Sequence, residues 1–221
     1  MRVELPRWPR RPATFLMMIA LMMASCARSK GYAQTTTATA RITLVFFAEQ
    51  SLRDGEWDAL FDALKKDMRT EGARTSRLAP DTEFLRGDKI EAGLHVNQSI
   101  SVYLHGNCSL VPLVRSSASG ALGWVRRVHG HIEPFIHVDC TQIAQELGPV
   151  AFGMNRSRRD VVMSEALARV VLHEWIHVAT QNPGHEKHGV AKAQFDPADL
   201  LADDQELRRA PQLFKRRWND L

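Results

Sequence analysis

The chain has 221 residues, enough for one domain with a hydrophobic core and too few for two domains of ordinary size. Its apolar and charged fractions, 44% and 24%, are those of a folded globular protein and exclude a disordered or collagen-like chain. Residues 1–33 hold six of the 29 basic and one of the 25 acidic residues, which leaves 23 basic and 24 acidic residues from Gln34 onward. No basic excess remains there, so we expect no nucleic-acid partner.

The N-terminal segment has the pattern of an export signal. Four arginines precede an apolar run from Ala13 to Ala24, which is too short to span a bilayer, and small residues follow it. We therefore predict a signal peptide over residues 1–33 and a single domain over residues 34–221. A lipobox-like sequence would place a lipid anchor on Cys26, whereas ordinary cleavage after Ala33 would remove that cysteine. Both alternatives predict a periplasmic or extracellular protein, and neither leaves a transmembrane helix in the mature chain.

Two cysteines remain beyond the signal, Cys108 and Cys140. An exported chain meets an oxidising compartment, so a disulfide between them is expected, with two buried thiols as the alternative. Neither cysteine has CxxC spacing, and a cysteine-ligated zinc site is therefore not expected.

The first half of the chain predicts strands around one helix. Residues 41–48 are rich in β-branched and aromatic side chains, which indicates a buried strand, and residues 56–69 have helical apolar spacing. Glycines and a proline interrupt residues 70–94, to which we assign no element. Residues 99–105 alternate as a strand does.

The second half continues with two strands, over residues 122–128 and 132–140, joined by a turn at residues 129–131. A short helix is predicted over residues 141–147 and a charged loop over residues 156–160. These elements and the helices that follow indicate an α+β fold.

The clearest helical pattern is SEALARVVLHEWIHVATQ, with Ser164 as the expected N-cap. The sequence Asn182-Pro183-Gly184 should end this helix abruptly. A last helical stretch is expected to open at residues 196–199.

Three residues of this helix form an HExxH motif. His173 and His177 are four residues apart, so their imidazoles project from one face, one turn apart. Two neutral imidazole nitrogens at that spacing can bind one Zn²⁺ at about 2.0–2.1 Å. Glu174 lies near the metal, where it can hold the bound water and accept its proton. The motif therefore predicts one zinc ion with Glu174 as general base; the alternative is an ordinary helix with two ligand-free histidines.

A catalytic zinc ion normally has three protein ligands and an open position for water. The break at residues 182–184 would let the chain double back and bring His185 towards the metal, so His185 is the predicted third ligand. His188 is the main alternative. Carboxylate alternatives are Asp196, Asp199 and Glu186.

The segment HEWIHVATQNPGHEKHG resembles the active-site segment of zincin metallopeptidases, most closely metzincin-like small secreted bacterial proteins in which a third histidine follows at slightly longer spacing. The resemblance is specific over residues 164–200 and weaker over residues 99–140. It implies a zincin-like domain, a mixed sheet with an active-site helix, in which His173, His177 and His185 bind zinc. It also implies an edge strand within residues 123–139, beside which an extended substrate adds as another strand.

The chain departs from the typical metzincin pattern HExxHxxGxxH at several points. Thr180 stands where that pattern has glycine, Pro183 stands where it has the third histidine, and no methionine follows Met163 to form a methionine turn. The only tyrosines are Tyr32 and Tyr103, so a tyrosine that stabilises the oxyanion is not expected.

The expected function is that of an exported zinc metallopeptidase acting on a peptide or protein. One alternative is a catalytically inactive zincin-like envelope protein with a structural zinc, and another is a metal-independent module that binds through a strand edge. A second metal site at His129, His131 and His137 is a further alternative, because these residues share parity along the hairpin.

Overall fold

A five-stranded mixed sheet forms the framework of the protein. The computed structural model describes residues 42–74, 82–91, 94, 96, 98–186, 190–191 and 193–201, and the predicted signal peptide lies outside these residues. The elements in chain order are β1 (Ile42–Ala48), α1 (Asp54–Arg74), β2 (Thr82–Arg86), β3 (Gln98–His105), β4 (Gly123–Val128), β5 (His131–Asp139), α2 (Cys140–Leu147), α3 (Arg156–Thr180) and α4 (Pro197–Leu200). Two 3₁₀ turns lie at Gly87–Lys89 and Gly148–Ala151.

The strand order is β2-β1-β3-β5-β4. The first four strands of this order are mutually parallel, and β4 pairs antiparallel with β5. The expected α+β class and mixed sheet are therefore confirmed. Among the described residues, β4 has only one neighbouring strand, so its outer edge has no strand partner there.

Alternate residues of the central strands face the helices, as the two-residue period of a strand requires. Phe46 of β1 contacts Trp57 and Phe61 of α1, with ring centroids 6.2 and 5.2 Å apart. Helix α3 packs against α1, β4 and β5. Its buried apolar residues form much of the core and are Val162, Met163, Ala166, Leu167, Ala168, Val170, Val171, Leu172, Trp175 and Val178. The helix that carries the HExxH motif is thus packed against the sheet through its buried apolar face.

Strands β4 and β5 form the predicted hairpin. His129 and Gly130 occupy its turn with φ of 49° and 88°, the left-handed conformation that two-residue hairpin turns require. The register shifts between Val125 and Arg127, where three residues of β5 lie opposite one residue of β4. Pro134 accounts for the irregularity, because proline has no backbone N–H to donate to the ladder.

Helix α3 and strand β2 differ from the sequence predictions. Helix α3 begins at Arg156, where the side chain of Asn155 accepts a hydrogen bond from the Arg158 amide, so Ser164 is not its N-cap. The charged stretch at residues 156–160 is therefore the first turn of the helix, not a loop. Strand β2 was not predicted, because its polar and half-exposed residues carry no apolar alternation and only pairing with β1 makes it a strand.

The predicted disulfide is present: Cys108 and Cys140 are bonded with an S–S distance of 1.98 Å. It joins the loop after β3 to the first residue of α2, and such a bond is consistent with an oxidising, exported environment. Among the described residues, no helix is both long and apolar enough to cross a bilayer.

Candidate metal centre

The C-terminal half of α3 carries the motif residues on its sheet-facing side. His173, Glu174 and His177 are buried, with 6%, 5% and 6% of their surface exposed. The helix ends at Gln181, whose φ of 53° is left-handed. The Gln181 side chain accepts from the amide of Ile132 and donates to its carbonyl oxygen, which fastens the end of the helix to β5.

Backbone carbonyl groups fix the tautomers of both motif histidines. His173 Nδ1 lies 2.7 Å from the carbonyl oxygen of Val190, and His177 Nδ1 lies 2.6 Å from that of Asn182. A carbonyl oxygen only accepts hydrogen bonds, so each Nδ1 carries the proton and donates it. In the neutral imidazoles, each Nε2 therefore presents a lone pair.

These two Nε2 atoms are 3.1 Å apart, with the ring planes at 86°. Neither nitrogen has a hydrogen to donate, so the contact is a repulsion between lone pairs unless a cation lies against both. Two nitrogens bound tetrahedrally to one zinc ion at about 2.0–2.1 Å would be about 3.3 Å apart. The observed separation is close to this value, and the pair therefore has the geometry of two ligands on one metal ion.

The chain returns after the helix and brings a third imidazole to the same point. Asn182 accepts at its side-chain oxygen from the amide of Gly184, 2.9 Å away, which closes a tight turn. His185 follows, with its ring centroid 5.3 Å from that of His173 and 4.9 Å from that of His177. One ligand nitrogen from each of the three histidines lies within 4.8 Å of the others, so the three could hold a metal ion.

The alternative third ligands have different surroundings. Asp196 and Asp199 form a capping box at the start of α4, each accepting a hydrogen bond from the other's backbone amide. Glu186 is not in the histidine group. His188 lies outside the described residues.

Burial strongly affects the ionisation of this centre. It lowers the pKa of His173 to about 4 and keeps the imidazole neutral, as a metal ligand must be. Burial, followed by the neighbouring His177, also lowers the pKa of His185. Desolvation raises the pKa of Glu174 to about 7, and its carboxylate receives no hydrogen bond from the described residues. A carboxyl group with this pKa can both accept and release a proton at neutral pH.

Glu174 lies between the histidines and the sheet edge. Its Oε1 is 3.9 Å from His173 Nε2. On the other side, a Cβ atom on Gly123 would lie 3.0 Å from the same oxygen and 2.7 Å from the Val170 side chain. The first residue of β4 must therefore be glycine for the strand to approach the carboxylate so closely.

An open cleft of about 810 Å³ runs along β4 past the histidines. Its walls include the first residues of β4, the three histidines and Phe195. Phe195 also packs edge-on against His173, with ring centroids 5.3 Å apart. The Asp196–Asp199 capping box and a hydrogen bond from Arg169 to the Asp199 carbonyl hold this returning segment against α3.

The proposed second group of histidines does not assemble. His129 is in the hairpin turn and His131 is exposed at the start of β5, whereas the ring of His137 bonds to that of His105, 3.0 Å away. Among the described residues, the only group of histidine, cysteine and acidic side chains with metal-binding spacing is His173, His177 and His185.

The rings of His105 and His137 form a hydrogen bond between Nε2 and Nδ1, which are 3.0 Å apart. The planes of the two rings are 18° apart. Glu49 accepts from the other side of His105 at 2.7 Å. The His137 ring stacks between Tyr103 and Trp124, each 5.2 Å away, on the sheet face away from α3. This cluster is therefore a hydrogen-bonded surface network, distinct from the metal centre.

Four contributors to the centre were missed by the sequence analysis. Asn182 and Val190 act through backbone carbonyls, which any residue type supplies, so no sequence signal marks them. No sequence pattern marks Phe195 as a neighbour of the histidines. Gly123 offered a signal, since a glycine at the start of a strand often marks a close backbone approach.

Comparisons of the chain with protein-family models, curated proteins and solved structures find no match.

Proposed function

We propose that this protein is an exported zinc metallopeptidase in which His173, His177 and His185 bind one zinc ion. The observation that carries the proposal is the convergence of two Nε2 lone pairs, 3.1 Å apart, with a third imidazole and a buried carboxylate beside them. Without a cation this arrangement places unpaired acceptors against one another in a buried site, which is costly. A metal ion removes that cost.

Zinc is the metal we propose, because three imidazole ligands with an open fourth position are typical of its catalytic sites. The hydrogen bonds from Nδ1 to Val190 and Asn182 support this assignment, since ligating histidines commonly donate their other N–H to a carbonyl group. They orient the rings before the metal binds.

A bound zinc ion would supply Lewis acidity, which polarises the scissile carbonyl and makes water more acidic. Glu174 would accept the proton of the attacking water and then donate it to the leaving amine. Its carboxylate suits both steps because burial raises its pKa to about 7 and no other side chain competes for it among the described residues. The outer edge of β4, which has no strand partner among the described residues, would bind the substrate backbone as an additional strand.

The zincin resemblance receives support from the position of these elements. An antiparallel edge strand, β4, lies against the helix that carries HExxH, and the third histidine follows that helix after a turn. The departures noted in the sequence still place the chain outside the typical metzincin pattern.

The alternative function is a zincin-like protein whose zinc only stabilises the fold. Structural zinc sites are usually closed by four protein ligands. Here the described residues offer three, and they line an open cleft that also contains Glu174. These features favour catalysis.

Metal analysis of the purified protein tests the proposal first. We expect one zinc per chain in the wild type, less than a tenth of that in His173→Ala, and full content in the control His131→Ala, whose imidazole is exposed and away from the site. Absence of stoichiometric zinc from the wild type would refute the metal assignment.

Glu174→Gln then separates the two functions. The exchange should retain zinc and lower peptide hydrolysis at least 1,000-fold, a loss on the order of 4 kcal/mol of transition-state stabilisation. If wild type and variant hydrolyse a peptide library equally slowly while chelation lowers the melting temperature of both, the zinc is structural.

A further inference from the structure

The cleft carries two charges that have no role in the proposed chemistry. Besides the three histidines and Glu174, the charged side chains that line it in the described part of the chain are Arg127 and Glu146. They belong to different elements, and they lie on opposite sides of Glu174 along the cleft.

Arg127 faces the cleft because of its position in β4. It pairs with Ile132 and so lies on the helix-facing side of the sheet, the side of Gly123, whereas Arg126 points to the other face. Arg126 has a carboxylate partner, Glu133, at 3.5 Å. The partner found for Arg127 among the described residues is the carbonyl oxygen of Gly130, at 3.3 Å, and none of those residues neutralises its positive charge with a carboxylate.

Glu146 occupies the opposite end of the cleft, on α2. Its carboxylate accepts a hydrogen bond of 2.8 Å from the Ser116 hydroxyl and has no cationic partner among the described residues. Gln142, one turn earlier on α2, accepts from the amides of Ser119 and Gly120 at 2.8 and 3.0 Å. The loop that forms this end of the cleft is therefore anchored, and the negative charge has a fixed place.

The spacing along β4 relates these charges to the scissile bond. Gly123 lies against Glu174, and Arg127 is four residues further along the strand. A strand rises about 3.3 Å per residue, so Arg127 lies about 13 Å from the reacting position, or about four residues of an extended peptide. The chain before Gly123 continues the pairing with β5 through Leu122 and leads away from Arg127, towards Glu146.

We propose, on the basis of the proposed peptidase function, that Arg127 and Glu146 determine specificity for an extended peptide with an acidic side chain before the cleaved bond and a basic side chain after it. Antiparallel addition to β4, the more stable pairing, places the N-terminal part of the peptide at Arg127. The preferred substrate has Asp or Glu about four residues before the cleaved bond and Lys or Arg several residues after it. Arg127 binds the acidic side chain, and Glu146 binds the basic one.

Three internally quenched peptides test this inference on the zinc-loaded protein. They share one apolar centre and differ in their flanks: acidic then basic, basic then acidic, and uncharged. The first peptide makes two partly exposed ion pairs with the cleft, whereas the second makes two like-charge contacts. We therefore expect the first peptide to have about tenfold higher kcat/KM than the second. The ratio should approach one in 1 M salt, where the Debye length is about 3 Å.

Charge-reversal variants assign the preference to the two residues. Arg127→Glu should abolish it and the double exchange Arg127→Glu, Glu146→Lys should invert it. Arg126→Glu is the matched control, because that arginine lies on the other face of the sheet, and it should leave the ratio unchanged. Equal rates for the three peptides in the wild type, or an equal effect of Arg126→Glu, would overturn the inference while leaving peptide hydrolysis standing.

If no peptide is cleaved, the proposed peptide hydrolysis is refuted. The binding affinities of the peptides then test the specificity inference separately. The zinc-loaded Glu174→Gln protein should bind the acidic-then-basic peptide about tenfold more tightly than the reversed one, measured by fluorescence anisotropy. Equal affinities, or no binding of any peptide, would overturn the specificity inference itself.

Discussion

Exchange of Gly123 for alanine is the sharpest perturbation of the centre that leaves every proposed ligand in place. The added Cβ would lie 2.7 Å from a methyl carbon of Val170, and 3.0 and 3.1 Å from Oε1 and Cγ of Glu174. Carbon atoms pack best at about 3.5–4.0 Å, so the strand or the two helix side chains must move by on the order of 1 Å. The movement displaces Glu174 from the histidines.

We expect two measurable consequences. Overpacking of this kind lowers the free energy of unfolding by about 1–3 kcal/mol, offset by about 0.4–1 kcal/mol because alanine restricts the unfolded chain more than glycine does. Misplacement of the base by about 1 Å should lower kcat/KM about 100-fold. Zinc content should not change, since the histidines are held by Val190 and Asn182 rather than by β4.

Urea unfolding, zinc analysis and peptide hydrolysis measure these three quantities. Gly120→Ala is the control, because Gly120 also lines the cleft, but its added Cβ would meet nothing closer than Gln142 at 3.6 Å. Full activity and unchanged stability in Gly123→Ala would refute the close approach of β4 to Glu174. A loss of zinc in this variant would show that the edge strand supports the ligands as well.

Three further predictions concern the metal, the disulfide and pH. Removal of zinc by a chelator should lower the melting temperature, and added zinc should restore it, because the ion binds only the folded chain; a melting temperature unchanged by chelation would contradict this. Replacement of Cys108 and Cys140 by serine opens a loop with a sequence separation of 32 and should lower the free energy of unfolding by about 3–4 kcal/mol, measured in urea, while zinc content stays at one per chain. In the metal-free protein, burial lowers the pKa of His173 to about 4, so the free energy of unfolding decreases as the pH falls below about 6.5. Burial raises the pKa of Glu174 to about 7, so the contribution of this group to the free energy of unfolding decreases as the pH rises from about 4.5 to 7. These two slopes nearly cancel between pH 4.5 and 6.5. Metal-free Glu174→Gln should therefore lose about 3 kcal/mol more stability than the metal-free wild type as the pH falls from about 6.5 to 4.5, and parallel pH curves for the two proteins would contradict this.

Hydrogen bonds to backbone groups explain how three histidines converge without the typical metzincin spacing. The turn at residues 182–184 both returns the chain and presents the Asn182 carbonyl to His177. The segment after it presents the Val190 carbonyl to His173 and the Phe195 ring to the same imidazole. The return of the chain thus orients two of the three histidines and brings the third to them.

The local spacing of apolar residues predicted most of the strands and helices that bury an apolar face. The bounds of five elements lie within one or two residues of the predicted ones: strands β1, β3, β4 and β5 and helix α2. Their apolar residues alternate or recur at helical spacing, and this pattern is visible in the sequence. Strand β2 and the first turn of α3 were not foreseen. Both are polar and partly exposed, so pairing with β1 and the cap at Asn155 decide them, and neither shows in a local apolar pattern.

The sequence by itself determined the spacing of His173, Glu174 and His177 and the break that follows them, because helix periodicity and proline chemistry act over a few residues. Only the tertiary structure decided how far the chain returns, which brings His185 within reach of the other two imidazoles. It also decided that Gly123 meets Glu174 and that two backbone carbonyl groups fix the imidazole tautomers. The physical reason is that these contacts depend on how the backbone packs after the helix ends and where the edge strand meets the helix, and a backbone carbonyl can come from any residue type.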